Sequence, residues 1–476
     1  MPNLRRHGLI SALLLVPCFW QSRVQAGDLG SHIYNAWLAQ LIESGHAQGL
    51  AIARQFTNVL FDLILSGLFR WIGPAAAQRI AVGIAVLVFV WGAFAFVTAI
   101  SGQRPWHLMP AIAMLAYGWV FHMGFFNFYL SMGLCFCFLA AAWDGTPRRI
   151  FAALPILGLA YLAHALPVAW AAGALLYSLV ARRCSPRLIA LLTALFILVA
   201  SVLRLAISRE LYTKWSVKQL SVITGLDQVW VFDTKYYFVM MGLLAVWGLL
   251  FSLLIRQSGA RRVFASVPFQ LCLVSAAGIF LLPSTVLIPG FHHTLSYIAE
   301  RMSLTVGICA CALLASAGPR MLERCALLAV GALFFVFLYT DERALNAFED
   351  RMQAAVSAVP PGARVVSELT DSGLRVNALT HMVDRVCIGR CFSYANYEAS
   401  TAQFRIRALG PNPVVAWRYA DSWHLQTGEY VVKKRDLPLY QIGLDSGGRM
   451  AVKVLHAGSP CGNTLAHILT VHLPES

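Results

Sequence analysis

Residues 80–100 read IAVGIAVLVFVWGAFAFVTAI, a run without one charged side chain, closed by Arg79 before it and Arg104 shortly after. A helix rises about 1.5 Å per residue, so a run of this length matches the roughly 30 Å hydrocarbon layer of a bilayer. A buried core helix needs no such uninterrupted length. The run therefore reads as a membrane span, and the remaining chain can be measured against it.

Composition agrees. Of 476 residues, 58% are hydrophobic and 12% are charged, with a mean hydropathy of +0.66. Soluble domains carry about 25% charged residues. The net charge of +15 comes mostly from short Arg clusters between apolar runs. That is the positive-inside pattern, which orients a membrane protein and binds no polymer. No basic stripe interleaved with aromatics is present, so nucleic acid is excluded as a partner.

Outward from 80–100, further apolar runs cover 108–122, 126–143, 150–164, 167–181, 188–207, 236–255, 263–282, 302–317 and 325–339. Before them, 9–20 is a shorter run after the basic Arg5 and Arg6. It reads as a first transmembrane helix or as a signal peptide, since Val24-Gln25-Ala26 supplies small residues before Gly27. The sum is about 11 transmembrane helices, with the N-terminus cytoplasmic and Arg in every inner loop. No internal repeat is visible, which disfavours a transporter built from inverted repeats.

Four regions result: 1–26, the first helix or signal peptide; 27–77, a first outer loop with amphipathic helices; 78–340, the multi-span domain; and 341–476, a small C-terminal soluble α/β domain. In the last, 340–358 reads as a helix, and 363–369, 414–417, 430–432 and 450–454 read as strands. Cys387 and Cys391 have the spacing of a small disulfide loop, with Cys461 as a further candidate.

The first outer loop opens with GDLGSHIYNAWLAQ, residues 27–40. On a helix, Asp28 and His32 share one face and Leu29, Ile33 and Trp37 another. This predicts an amphipathic helix lying on the membrane. Asp28 reads either as the cap of that helix or as a general base, and His32 as its orienting partner. Other polar residues stand at the outer ends of spans. Arg301, beside Glu300, enters a span where a charge must be paired or face a cavity. Arg54 is a second outer-loop cation. His164, His292 and His293 stand at outer tips and read as pocket-lining residues, His164 foremost, or as residues facing headgroups. Asn127 stands at a span entrance, where it caps its helix or lines a pocket. With His122 and His32 these imidazoles offer the donor type zinc takes, but no spacing gathers them, so no metal site is assigned.

A basic N-terminus, one short span and a long outer loop opening on Asp28 resemble the GT-C glycosyltransferase superfamily over residues 8–340. That group includes the protein O-mannosyltransferases and the lipid A aminoarabinose transferase. The paired acid of some members is absent, since Leu29 follows Asp28. The resemblance implies sugar transfer from a polyprenyl-phosphate carrier to a lipid, glycan or protein acceptor on the periplasmic side of a bacterial inner membrane. It implies inversion with Asp28 as base, Arg301 and Arg54 on the donor phosphate, and no cofactor. The competing readings are a flippase for a lipid-linked glycan and a non-catalytic envelope assembly protein.

Overall fold

The computed structural model describes residues 2–461 apart from 370, 372 and 402. The chain is mostly helical, at 64%. The first helices are α1 (Pro2–Phe19), α2 (Leu29–Glu43) and, after strand β1 (Leu50–Ile52), α3 (Leu60–Ser101). Next come α4 (Met109–Ala116), α5 (Trp119–His122), α6 (Phe126–Ala142), α7 (Pro147–Ala163), α8 (Ala165–Ala181) and α9 (Pro186–Glu210). Strand β2 (Tyr212–Lys214) precedes α10 (Tyr236–Ser258), α11 (Ala260–Phe264) and α12 (Val267–Leu281). Strand β3 (Thr285–Leu287) precedes α13 (Ile298–Leu314) and α14 (Met321–Val356).

The C-terminal part contains β4 (Arg364–Ser367), α15 (Met382–Cys387), β5 (Phe392–Ser393), α16 (Glu398–Thr401) and β6 (Ile406–Ala408). It continues through α17 (Tyr419–Thr427), β7 (Tyr430–Val431), β8 (Leu439–Leu444), β9 (Met450–Leu455) and β10 (Pro460–Cys461). The end of the domain expected over 341–476 lies outside the described residues.

Among the described residues four helices are long and apolar enough to cross a membrane: α3, α9, α10 and α14. The apolar helices α6, α8 and α12 are shorter. The eleven expected spans are thus not reproduced one by one, and the reason is local. The expected amphipathic stretch before residue 77 and the span at 80–100 are one helix, α3, bent where Gly73 takes φ 72° ahead of Pro74. Residues 108–122 are broken into a 3-10 turn, α4 and α5, with extended backbone at Gly118. The last apolar run and the helix expected after it are one rod, α14. Leu191, Leu198 and Leu205 of α9 are 60% or more exposed. Side chains like these suit a lipid surround better than water.

The core is built on α3 against α6, which cross closely at Gly92 and Gly133, where an added Cβ would meet the facing backbone. Helix α1 packs onto the same core. Tyr117 donates to the Leu14 carbonyl at 2.6 Å and Trp91 to Ser11 at 3.0 Å. The main C-terminal sheet has the order β5-β4-β8-β9, parallel across the first three strands and antiparallel at β8–β9. No strand forms at 414–417, where the chain is irregular. Cys387 and Cys391 form a disulfide, and Cys461 is free and buried.

The N-terminal loop and the C-terminal part are knitted together. Strand β1 pairs antiparallel with β6. Arg385 grips Glu349 of α14 with two hydrogen bonds, at 2.7 and 2.6 Å, and donates to the Val24 carbonyl at 2.8 Å. Between these parts lies α2. Leu29, Ser31, Ile33, Tyr34, Asn35 and Leu38 are all buried, so α2 does not lie on a membrane surface as its pattern predicts. Its apolar side packs on α3, and its polar side meets α15 and β5, where Tyr34 accepts the Ser393 N–H at 2.9 Å.

Candidate functional site

The geometry of α2 starts from its entrance. Gly27 and Asp28 donate their backbone N–H groups to the carbonyls of His122 and Met123, at 2.8 and 3.0 Å. At Gly27 an added Cβ would stand 2.8 Å from the Asn377 oxygen and 3.0 Å from that of Met123. Asp28 is thus threaded between two other backbone segments. It occupies the N-cap position with helical angles, φ −68° and ψ −9°, and its side chain makes no capping hydrogen bond. The capping role is therefore excluded, and the carboxylate is left for other partners.

Its cationic neighbour is His381, whose Nε2 lies 3.8 Å from Asp28 Oδ1. The other ring nitrogen, Nδ1, is held by Asp384 Oδ2 at 2.7 Å, and Ser393 donates its hydroxyl to the second Asp384 oxygen. An imidazole anchored through Nδ1 presents Nε2 in one direction, here to Asp28. His381 and Asp384 are buried, while Asp28 keeps 25% of its side chain exposed. Burial opposes the His381 imidazolium, but the Asp384 hydrogen bond and the charges of Asp384, Asp28 and Glu398 outweigh it and raise its pKa to about 9.

Arg301 lies in the first turn of α13, and its charge interacts with Asp28 more than with Tyr397, Tyr297 or Glu300. Its guanidinium sits 3.6 Å above the Phe125 ring, a cation–π contact. The Nε atom is buried without a hydrogen-bond partner. The neighbour of Arg301 in sequence, Glu300, accepts from Ser284 at 3.0 and 3.1 Å. Among the described residues no carboxylate lies within ion-pair distance of Arg301. Tyr297, which starts this helix, takes a left-handed φ of 58°, a costly conformation for an aromatic residue.

His32 faces away from this group. Its Nδ1 pairs with Asp62 at 2.6 Å, not with Asp28, and the histidine facing Asp28 is His381. The second Asp62 oxygen accepts from Asn127 at 2.7 Å. Asn127 in turn accepts the Phe61 N–H at 2.8 Å, so it caps α3 and not its own helix. Burial opposes the charged His32, yet Asp62 lifts its pKa to about 9. Burial also raises Glu398, to about 7. His32, Asp62, Asn127 and Glu398 line a narrow cleft with room for about one or two water molecules.

The remaining expected residues are dispersed. His164 caps α8, its Nδ1 accepting from Leu166 N at 3.2 Å, and it does not line the cleft. His293 stacks on Tyr397 at 5.0 Å and His292 on Tyr419 at 5.7 Å. Arg54 is exposed after β1 and makes no ion pair among the described residues. His122 pairs with Glu342 at 3.2 Å. Among the described residues no three His, Cys, Asp or Glu side chains are grouped to hold a metal ion.

His381, Asp384, Glu398 and Tyr397 escape the sequence reading. His381 and Asp384 carry a signal, the i, i+3 spacing that puts them on one helical face, but nothing in the sequence joins them to Asp28. No family model, no curated protein and no solved structure matches the chain.

Proposed function

We propose that the chain is a membrane glycosyltransferase that moves a sugar from a polyprenyl-phosphate carrier to an acceptor at the periplasmic face of a bacterial inner membrane. One observation carries the reading: a carboxylate unused by its own helix faces a histidine–aspartate pair and shares its surroundings with an arginine that has no acid partner among the described residues. An acceptor hydroxyl attacks the anomeric carbon as the bond from that carbon to the phosphate oxygen breaks. The hydroxyl proton passes to Asp28, and the configuration inverts. Arg301 meets the charge that grows on the departing lipid phosphate. His381, fixed by Asp384, faces Asp28 and positions it. Arg54 is set aside as a phosphate ligand because it is exposed and apart from this group.

The test is transfer from radiolabelled polyprenyl-phosphate sugars into a membrane fraction, by purified wild type, Asp28→Asn and Arg301→Ala. Removing a general base costs about 10²- to 10⁴-fold. Removing the cation facing the leaving group costs about 10²-fold or more. Equal turnover in all three proteins would reject the roles of Asp28 and Arg301, and no transfer by the wild type from any carrier would reject the transferase reading.

A further inference from the structure

The C-terminal end of α9 and the turn after it carry charges that the fold leaves unused. Arg204, Arg209, Lys214 and Lys218 stand there with Glu210 as the one acid among them. Among the described residues none of the five makes an ion pair, and no hydrogen bond holds the four cationic side chains. Arg204 is the sharpest case. It precedes Glu210, the last residue of α9, by about 9 Å of helix, and Leu203 and Leu205 beside it are exposed. A charge among lipid-facing side chains of a span is costly unless a partner reaches it. The Arg204 guanidinium lies 4.4 Å from the centre of the Trp215 ring, a contact that covers one face and accepts none of its N–H groups in the plane. Orientation does not account for these cations either. The positive-inside rule asks for Arg at the opposite end of α9, where Arg182, Arg183 and Arg187 already stand.

The turn that presents the cations is tied firmly to its surroundings. Strand β2 pairs with β3. Trp215 donates through Nε1 to the Phe280 carbonyl at 2.7 Å. The buried Gln219 donates to the carbonyls of Ile279 and Leu282 at 3.0 and 2.6 Å, and closes a capping box with Ser216. On this frame Tyr212, Val217 and Leu220 are 57, 64 and 49% exposed, in sequence alternation with the exposed Lys214 and Lys218. A free anion would satisfy the cations and leave the apolar side chains wet. A neutral sugar would leave the cations without a counter-charge. A phospholipid supplies both halves, phosphate oxygens for the cations and acyl chains for Leu203, Leu205 and the apolar side chains of the turn. With four cations against one acid, an anionic headgroup is favoured over a zwitterionic one.

We infer that residues 204–220 form a binding site for the phosphate headgroup of an anionic phospholipid at the membrane boundary, with Arg204 as its deepest contact. The inference rests on the membrane character of the chain and not on the transferase reading. The site stands at the same end of the helices as Arg301. The Lys214 carbonyl accepts from Ser284 N at 2.9 Å, and the Ser284 carbonyl accepts from the N–H of Ile298, which opens α13, also at 2.9 Å.

The experiment is photo-crosslinking of the full chain in lipid nanodiscs. Phosphatidylglycerol and phosphatidylcholine carry the same diazirine close to the glycerol, and labelled peptides are mapped by mass spectrometry. In the wild type, residues 199–222 should take phosphatidylglycerol over phosphatidylcholine by about tenfold or more. Arg204→Gln should lower that preference about fivefold, the scale of one cation at a lipid surface. Lys214→Gln with Lys218→Gln, both on the exposed turn, should lower it at least as far without touching α9. Lys434→Gln removes an exposed cation of the C-terminal part and should leave the preference unchanged. Absence of label in this segment, equal labelling by the two lipids, or the wild-type preference in the lysine pair would overturn the inference. So would a preference lost in sodium phosphate but kept in sodium chloride of equal ionic strength, which would make this a site for free phosphate. None of these outcomes bears on transfer through Asp28, so the two readings fail separately.

Discussion

Replacing Gly27 by alanine tests the placement of Asp28 most directly. The added Cβ would stand 2.8 Å from the Asn377 carbonyl oxygen and 3.0 Å from that of Met123, against an ordinary contact that begins at 3.4 Å. Both obstacles are backbone, so neither can rotate aside. The two shortfalls are 0.6 and 0.4 Å, so the backbone around residue 27 must give by at least the larger of them. Asp28 is the next residue and is tied to Met123 through its own N–H, so the strain reaches the carboxylate. Overpacking of this kind costs about 1–3 kcal/mol of stability. A misplacement near 1 Å at a reacting group costs about 10²-fold in rate. Thermal unfolding in detergent and single-turnover transfer would read the two effects. Gly67→Ala is the control, since nothing lies within 4 Å of its Cβ, and it should hold or gain stability by about 0.5–1 kcal/mol. A Gly27→Ala protein with the unfolding temperature of Gly67→Ala and wild-type turnover would refute the close threading.

Other outcomes follow from the same geometry. In Asp384→Asn, His381 loses the partner that most raises its pKa. The raised imidazolium stabilises the fold below its ordinary value near 6.5, and that contribution disappears as pH rises through about 9. The stability deficit of the variant should therefore be largest at pH 6 and shrink above pH 9, as read by denaturant titration. For Glu398, whose folded pKa is raised to about 7 by burial, the slope has the same sign in a lower window: the fold prefers the neutral acid and loses stability as pH climbs from about 4.5 to 7. Glu398→Gln should flatten that slope and be the more stable protein at pH 8. Reduction of the Cys387–Cys391 bond, which closes a short loop with a sequence separation of 4, should cost about 2 kcal/mol by loop-closure entropy. Chemical denaturation with and without reductant measures it.

Arg301 could be picked out from the chain because it enters a span, where a charge is expensive, and Asp28 because it opens the outer loop just after the first apolar run. Hydropathy alone carries that information. The long helices were visible for the same reason, but their limits were not. Polarity at Asp62 and Arg70 looks like an interfacial segment, yet the backbone continues through it as α3, turning only at Gly73. Likewise Asp341 and Glu342 look like the end of a span. In the fold both acids are buried and satisfied, Asp341 by Lys235 and Tyr236, Glu342 by Trp20 and His122, so α14 runs on. The burial of α2 was not legible, because Ser31, Asn35 and Tyr34 look like a wet face until Glu398, Asn396 and Ser393 cover them. His381 reaches Asp28 across more than 350 positions of sequence, and no local pattern encodes such a meeting.

The unbroken course of α14 has a mechanical meaning. Its 36 residues make a strut about 54 Å long. About 30 Å of that suffices for an apolar layer, which leaves a mast about 24 Å tall. Near its tip Arg385 is bolted to Glu349, and Arg385 belongs to the same short helix as Asp384. The strut therefore sets both the elevation of the His381–Asp384 pair and its compass bearing. One residue inserted into the mast would lift the pair by about 1.5 Å and swing it by about 100°, so the histidine would point away from Asp28 although every local contact within the C-terminal part survived.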